Sequence, residues 1–275
     1  MTDLLPLMVQ PFVAAMVLVA MLAYLGVHVI AREVIFVDLA LAQMAALGGT
    51  VALLFSLEPN APGSYAFALG FTTLGAFIFA MTRTVGGERR VPHEAIIGVV
   101  YIVASAAVIL VADRAPRGAE VLKETLVGSI LWVTWPSILK LAVVYVVIAA
   151  FHWLLRHRFL TISLQPEEAD RAQWSLRWWD FLFYLSFGVA ITMAVPVAGV
   201  LLVFTFLVVP AIVAFLFTRR TGGLIAISWI TSAVATALGL FVSFRFDLPT
   251  GPVIVCTFGV VLLAVGAVRK VALRT

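Results

Sequence analysis

Apolar residues in this chain run in long blocks, and polar ones gather in the gaps between them. Nine blocks approach the roughly 20 residues that an α-helix needs to cross a bilayer. They are residues 12–30, 35–57, 64–83, 94–112, 136–155, 180–195, 198–217, 223–243 and 252–269. The short alternating segments that mark a membrane β-barrel are missing. The pattern predicts an all-α, polytopic helical membrane protein with nine transmembrane helices in a single bundle over residues 1–275. Eight is the alternative count. Only the region of Pro196 separates the sixth block from the seventh, so the two form either a tight hairpin or one broken helix.

Composition then removes whole classes of function. Hydrophobic residues make up 63% of the 275 and charged residues 12%, and the mean hydropathy is +1.13. A soluble domain carries about 25% charged and about 45–50% apolar residues. A water-soluble enzyme and a nucleic-acid binder are both excluded, and lipid is the first partner. The single cysteine, Cys256, excludes a disulfide framework and a Cys-based zinc cluster. It reads as a small buried apolar residue. Residues 1–11 hold Asp3 but no Lys or Arg, so the first block lacks the basic leader of a signal peptide.

The net charge of +4 is explained by topology rather than by an acidic partner. Alternate connections hold Arg32; Arg83, Arg89 and Arg90; Arg156, Arg158, Arg171 and Arg177; Arg219 and Arg220; and Arg269, Lys270 and Arg274. The other set holds only Arg114, Arg117, Lys123 and Arg245, with Lys140 just inside a block. Basic residues stay on the cytoplasmic side. Nine passes therefore put the amino terminus outside and the carboxyl terminus in the cytoplasm.

Two connections are longer than the rest. Residues 113–135 include the stretch from Glu120 to Trp132, too short to cross and too apolar for a free loop. It predicts an outer re-entrant or interfacial helix, with Trp132 and Trp135 at headgroup depth and Pro136 in the first turn of the next helix. Residues 156–179 carry Glu167, Glu168, Asp170 and Arg171, followed by Trp174, Trp178 and Trp179. This predicts a short charged helix on the cytoplasmic surface.

Ionisable groups inside a membrane span are costly and point to function. Asp38 lies about one turn into the second block and shares a helical face with Ala42, Ala45 and Gly49. Gln43 is five residues on, about 140° round, beside Thr50. A regular helix does not present Asp38 and Gln43 to one ion. Two readings of Asp38 stay open: an oxygen ligand or waypoint for a cation, or a boundary acid paired with Arg32 or a helix end. His28, His93, His152 and His157 sit at the ends of blocks without a partner at i+4, which reads as interfacial packing. Tyr101, Ser105 and Thr205 read as backbone-bonded helix hydroxyls. Pro196, Gly199 and Pro210 put breaks at both ends of the seventh block, and Pro249 and Pro252 stiffen an outer turn.

Five segments in order give the chain a family likeness. They are Arg32 through Gly48; Glu94-Ala95-Ile96-Ile97-Gly98; Leu126-Val127-Gly128-Ser129-Ile130-Leu131; Gly199-Val200-Leu201-Leu202 leading to Leu207-Val208-Val209-Pro210-Ala211; and Asp247-Leu248-Pro249-Thr250-Gly251-Pro252. Over nearly its whole length the chain resembles the membrane permease subunit of bacterial ABC importers for zinc, manganese or iron. The resemblance implies a homodimer seated on two ATP-hydrolysing subunits in the inner membrane, fed by a periplasmic or extracellular metal-binding protein. It places the ATPase-coupling helix on Pro166, Glu167, Glu168, Ala169 and Asp170, where the family commonly has a glycine near the position of Gln173. It implies no catalytic residue and no resident cofactor, only a transported divalent metal ion.

The likeness breaks at the expected ion site. Members usually carry Asp and His four residues apart in the second span. Aligning from Arg32 sets Asp38 on the Asp and Ala42 on the His, whereas aligning from Gly48 sets Leu39 and Gln43 there. An amide is a poorer transition-metal ligand than imidazole. The expected function is an importer permease for zinc first, then manganese or iron, with Asp38 and Gln43 as candidate path residues. An ion-coupled secondary transporter, the first alternative, needs more buried ionisable groups. An intramembrane aspartyl enzyme needs two facing acids, and only Asp38 lies well inside a block; the G-x-S-x-G elbow and the H-E-x-x-H pair of the other types do not occur in the sequence.

Overall fold

A computed structural model describes residues 4–58, 61–83, 92–115, 123 and 125–272. Arg89, Arg90, Arg117 and Arg274, and most of the stretch 116–124 in the outer segment, lie outside the described residues. The named elements are α1 (Leu4–Ala31), α2 (Val37–Leu54), α3 (Pro62–Met81), α4 (His93–Ala112), a 3-10 turn (Ile130–Trp132), α5 (Trp135–Leu154), α6 (Arg156–Leu164), α7 (Pro166–Arg171), α8 (Leu176–Phe217), α9 (Thr221–Phe246) and α10 (Thr250–Ala272). In α3 and α5 a proline occupies the first turn, where its missing N–H leaves no bond unmade. Among the described residues eight helices are long and apolar enough to span a membrane, and the chain is an all-α polytopic membrane protein.

One of the eight spans twice. α8 has 42 residues, about 63 Å at 1.5 Å per residue, twice the thickness of a hydrocarbon core. Gly199 interrupts it with φ 74° and ψ 159°, a conformation that side-chain-bearing residues avoid. Near its start, Asp180 meets Arg32 at the far end of α1, 2.8 Å away. Gly199 itself packs against the backbone of Val127 and Gly128. The last turns come back to the first end: Ala211 and Ala214 cluster with Val27 of α1 and Leu224 of α9. Eight helices thus make nine passes.

The reversal sits at Gly199 and not at Pro196, which stays within the helix. Carbonyls freed near the break are taken by Ser129, whose amide donates to Val197 (3.1 Å) and whose hydroxyl donates to Pro196 (3.4 Å). Pro210 also remains helical, and its carbonyl accepts from the Ser228 hydroxyl of α9 at 3.2 Å. Non-helical backbone at membrane depth is tolerated where protein groups re-satisfy it in this way.

α1, α2 and α8 form the buried centre, while α4, α5 and α10 turn most of their surface outward. Large apolar residues such as Ile102, Leu110 and Leu263 cover these outer faces, as a helix facing lipid requires. Cys256 is exposed on α10, not buried as its residue type suggested. His28 and His152 are 1% and 2% exposed; both lie within the bundle and not at its interface.

Candidate functional site

The arginine-rich end of the bundle gathers the polar residues. The chain leaves α1, turns through Glu33 (φ 58°) and enters α2 at Val37, which puts Asp38 in the first turn. Asp38 is 1% exposed. Its carboxylate faces the amides at the start of α2, where the positive end of a helix favours an acid. Its Oδ1 is buried without a hydrogen-bond partner. Glu94, in the first turn of α4, reaches the same helix start: its Oε1 accepts the Phe36 N–H at 2.9 Å. Glu94 Oε2 is also buried and unpartnered, and the two carboxylates act on each other electrostatically. Gln43 is buried further along α2, on another side of the same unbroken helix. The structure therefore joins Asp38 to Glu94 and not to Gln43.

The pairing of Asp38 with Arg32 does not form. Arg32 donates to Asp180 Oδ1 at 2.8 Å, and Arg83 donates to the other oxygen of the same carboxylate. Asp180 is fully buried. Arg32 also stacks on Phe183, 3.9 Å from its ring centroid, and its Nε donates to Ser163 Oγ at 2.7 Å. Ser163 Oγ also hydrogen-bonds His28 Nδ1, 2.7 Å away. His152 lies between Tyr24 (3.3 Å) and Ser186 (2.9 Å). This network ties α1, α5, α6, the start of α8 and the chain leaving α3 into one rigid end. Among the described residues no three His, Cys, Asp or Glu side chains converge as a metal site.

The surface of this end is made by α6 and α7. Ala169 is buried against Ile162 and Leu176, which pins α7 down by one small side chain. Pro166, Glu167, Glu168 and Asp170 are left exposed. The Glu167–Arg171 pair, 3.8 Å apart and open to solvent, adds little stability. Gln173 follows in the left-handed region at φ 51°. Glycine adopts that conformation without strain, a physical reason for the glycine expected near this position. Beside α6 a cleft of about 670 Å³ is lined by Arg156, His157, Arg219 and Arg220, among others.

Glu94 and Asp180 are the two residues that sequence reasoning missed. Glu94 was visible as the start of a block, but only the fold carries α4 to the head of α2. Asp180 opened a block without attracting notice, since nothing local pairs it with Arg32, 148 positions away.

Residues 5–269 match the ABC 3 transport family, in agreement with the likeness read from the sequence. The chelated iron transport system membrane protein of Yersinia pestis is 28% identical over 210 residues, covering 74% of this chain and 70% of that protein. The manganese transport system membrane protein of a Synechocystis species is 24% identical over 209 residues, covering 74% and 68%. In fold, the chain is similar to PsaBC from Streptococcus pneumoniae, solved in complex with Fab. The TM-score is 0.77 at 21% identity, covering 94% of this chain and 90% of that one.

Proposed function

Because the chain belongs to the ABC 3 transport family, we propose that it is the permease subunit of an ATP-driven importer for a divalent transition metal. One observation carries the reading to a residue: Asp38 is buried within a membrane helix with a carboxylate oxygen that no protein group satisfies. A buried carboxylate of this kind calls for a cation or a proton. Zinc, manganese and iron all fall within the class. The oxygen donors here, and the absence of an imidazole at Ala42, favour manganese or iron over the zinc put first on sequence grounds.

In this reading the subunit has no catalytic chemistry of its own. Two copies flank the path, and a separate ATPase docks on α7 at the arginine-rich, cytoplasmic end. A binding protein delivers the ion to the other end, in the bacterial inner membrane. Asp38→Ala is expected to lower metal uptake by the reconstituted complex about tenfold or more at limiting metal; undiminished uptake at normal expression retires the waypoint. Reversing charge at Glu167 and Glu168 is expected to abolish co-purification with the ATPase, since both carboxylates are exposed and their loss leaves the fold intact. Unchanged association and unchanged stimulated turnover contradict that docking.

A further inference from the structure

We propose that Glu94 of α4 and Asp38 of α2 together form a two-carboxylate site for a hard divalent cation, of manganous or ferrous type. Glu94 would supply the ligand that the second span lacks. The inference rests on the metal-permease reading above and adds a second residue and a selectivity to it.

Four observations converge. The Phe36 N–H fixes Glu94 Oε1 at 2.9 Å, two residues before Asp38. The Phe36 N–H accounts for one oxygen of Glu94, and the amides at the start of α2 face the Asp38 carboxylate. Asp38 Oδ1 and Glu94 Oε2 are left, both buried and both without a partner. The contact with Phe36 therefore explains one half of Glu94 and leaves the other half, with Asp38 Oδ1, unexplained. Arg32 and Arg83 both bind Asp180 and neither pairs with these two carboxylates. Two carboxylates side by side in a low-dielectric setting with lone pairs free are relieved by a cation or by a proton between them.

The donor set defines the guest. Carboxylate oxygen suits manganese and other hard cations, whereas zinc is drawn to imidazole and thiolate. Two protein ligands leave most of a six-coordinate shell to water or to further groups on the path. Such a partial shell binds weakly enough to release the ion, which a transport waypoint requires.

The test uses the permease with its ATPase partner in lipid nanodiscs, with manganous ion as the probe. Free manganese is read by electron paramagnetic resonance without nucleotide, and zinc is added as competitor. Glu94→Gln keeps an acceptor for the Phe36 N–H, so its melting temperature is expected to match the parent protein. Both Glu94→Gln and Asp38→Asn are expected to weaken manganese binding at least about tenfold. Glu94→His is expected to shift competition toward zinc by about tenfold. Parental manganese affinity in a folded Glu94→Gln protein overturns the two-carboxylate site. If Asp38→Asn in that same series still loses binding and uptake, the metal-permease reading stands without Glu94. Reduced uptake in Glu94→Gln with unchanged binding means that the carboxylates share a proton, and also overturns the site.

Discussion

Asp180→Asn is expected to destabilise the protein by about 3–5 kcal/mol, the usual effect of removing one partner from a buried ion pair. The carboxylate is fully buried and receives both Arg32 and Arg83. The Arg32 side chain is itself only 5% exposed, so losing the acid leaves a cation with no route to water. The amide can offer one oxygen but no charge. Thermal unfolding in detergent, followed by size-exclusion fluorescence, reads the effect as a large loss of monodisperse protein. Arg83→Gln is expected to lose much less, because that side chain is 22% exposed and stays hydrated when unpaired. Adding Arg32→Met to Asp180→Leu is expected to recover part of the loss, since the two positions act as one unit. Equal melting temperatures for Asp180→Asn and the parent would remove the network from the account of stability.

Gly199→Val ranks beside it. At φ 74° and ψ 159° the position lies where L-residues are strained by about 1–3 kcal/mol. A Cβ there also runs into the backbone of Val127 and Gly128. Both effects push the same way, and a total loss of roughly 3 kcal/mol or more is expected. The damage should be local at first, loosening residues 125–132 from the reversal of α8 and exposing the Ser129 amide bound to Val197. Gly222→Ala in α9 is the control, because a Cβ there meets open space; its effect is expected to stay within about 0.5 kcal/mol. A Gly199→Val protein with the parent's melting temperature and the parent's protease resistance in this segment would show that α8 can turn without its glycine.

Both residues show where sequence reasoning stops. Gly199 stood inside a recognised break, and the reversal fell three positions past the proline that drew attention. The reason is that Pro196 stays helical, with Ser129 donating to its carbonyl and to that of Val197, whereas the φ of Gly199 fits no helix at all. Asp38 was singled out by its depth in the second block, and its burial followed. Glu94 did not stand out, since it lies 56 positions on and reaches the head of α2 only because α4 packs beside that helix. His28 and His152 looked interfacial because span ends are interfacial on average. They are buried because α6 folds under the bundle and brings Ser163 to His28, covering that end.

The sequence by itself determined the class and the family, because each is written in local chemistry. Twenty apolar residues have few fates other than a lipid-spanning helix, since every backbone polar group must be satisfied within the segment. The tertiary structure alone decided which charges meet. Arg32 chose Asp180 over Asp38, the head of α2 gained Glu94, and Gly199 turned one helix into two passes. Pairing in a membrane interior is set by which helices lie side by side, and that adjacency has no counterpart in the order of residues along the chain.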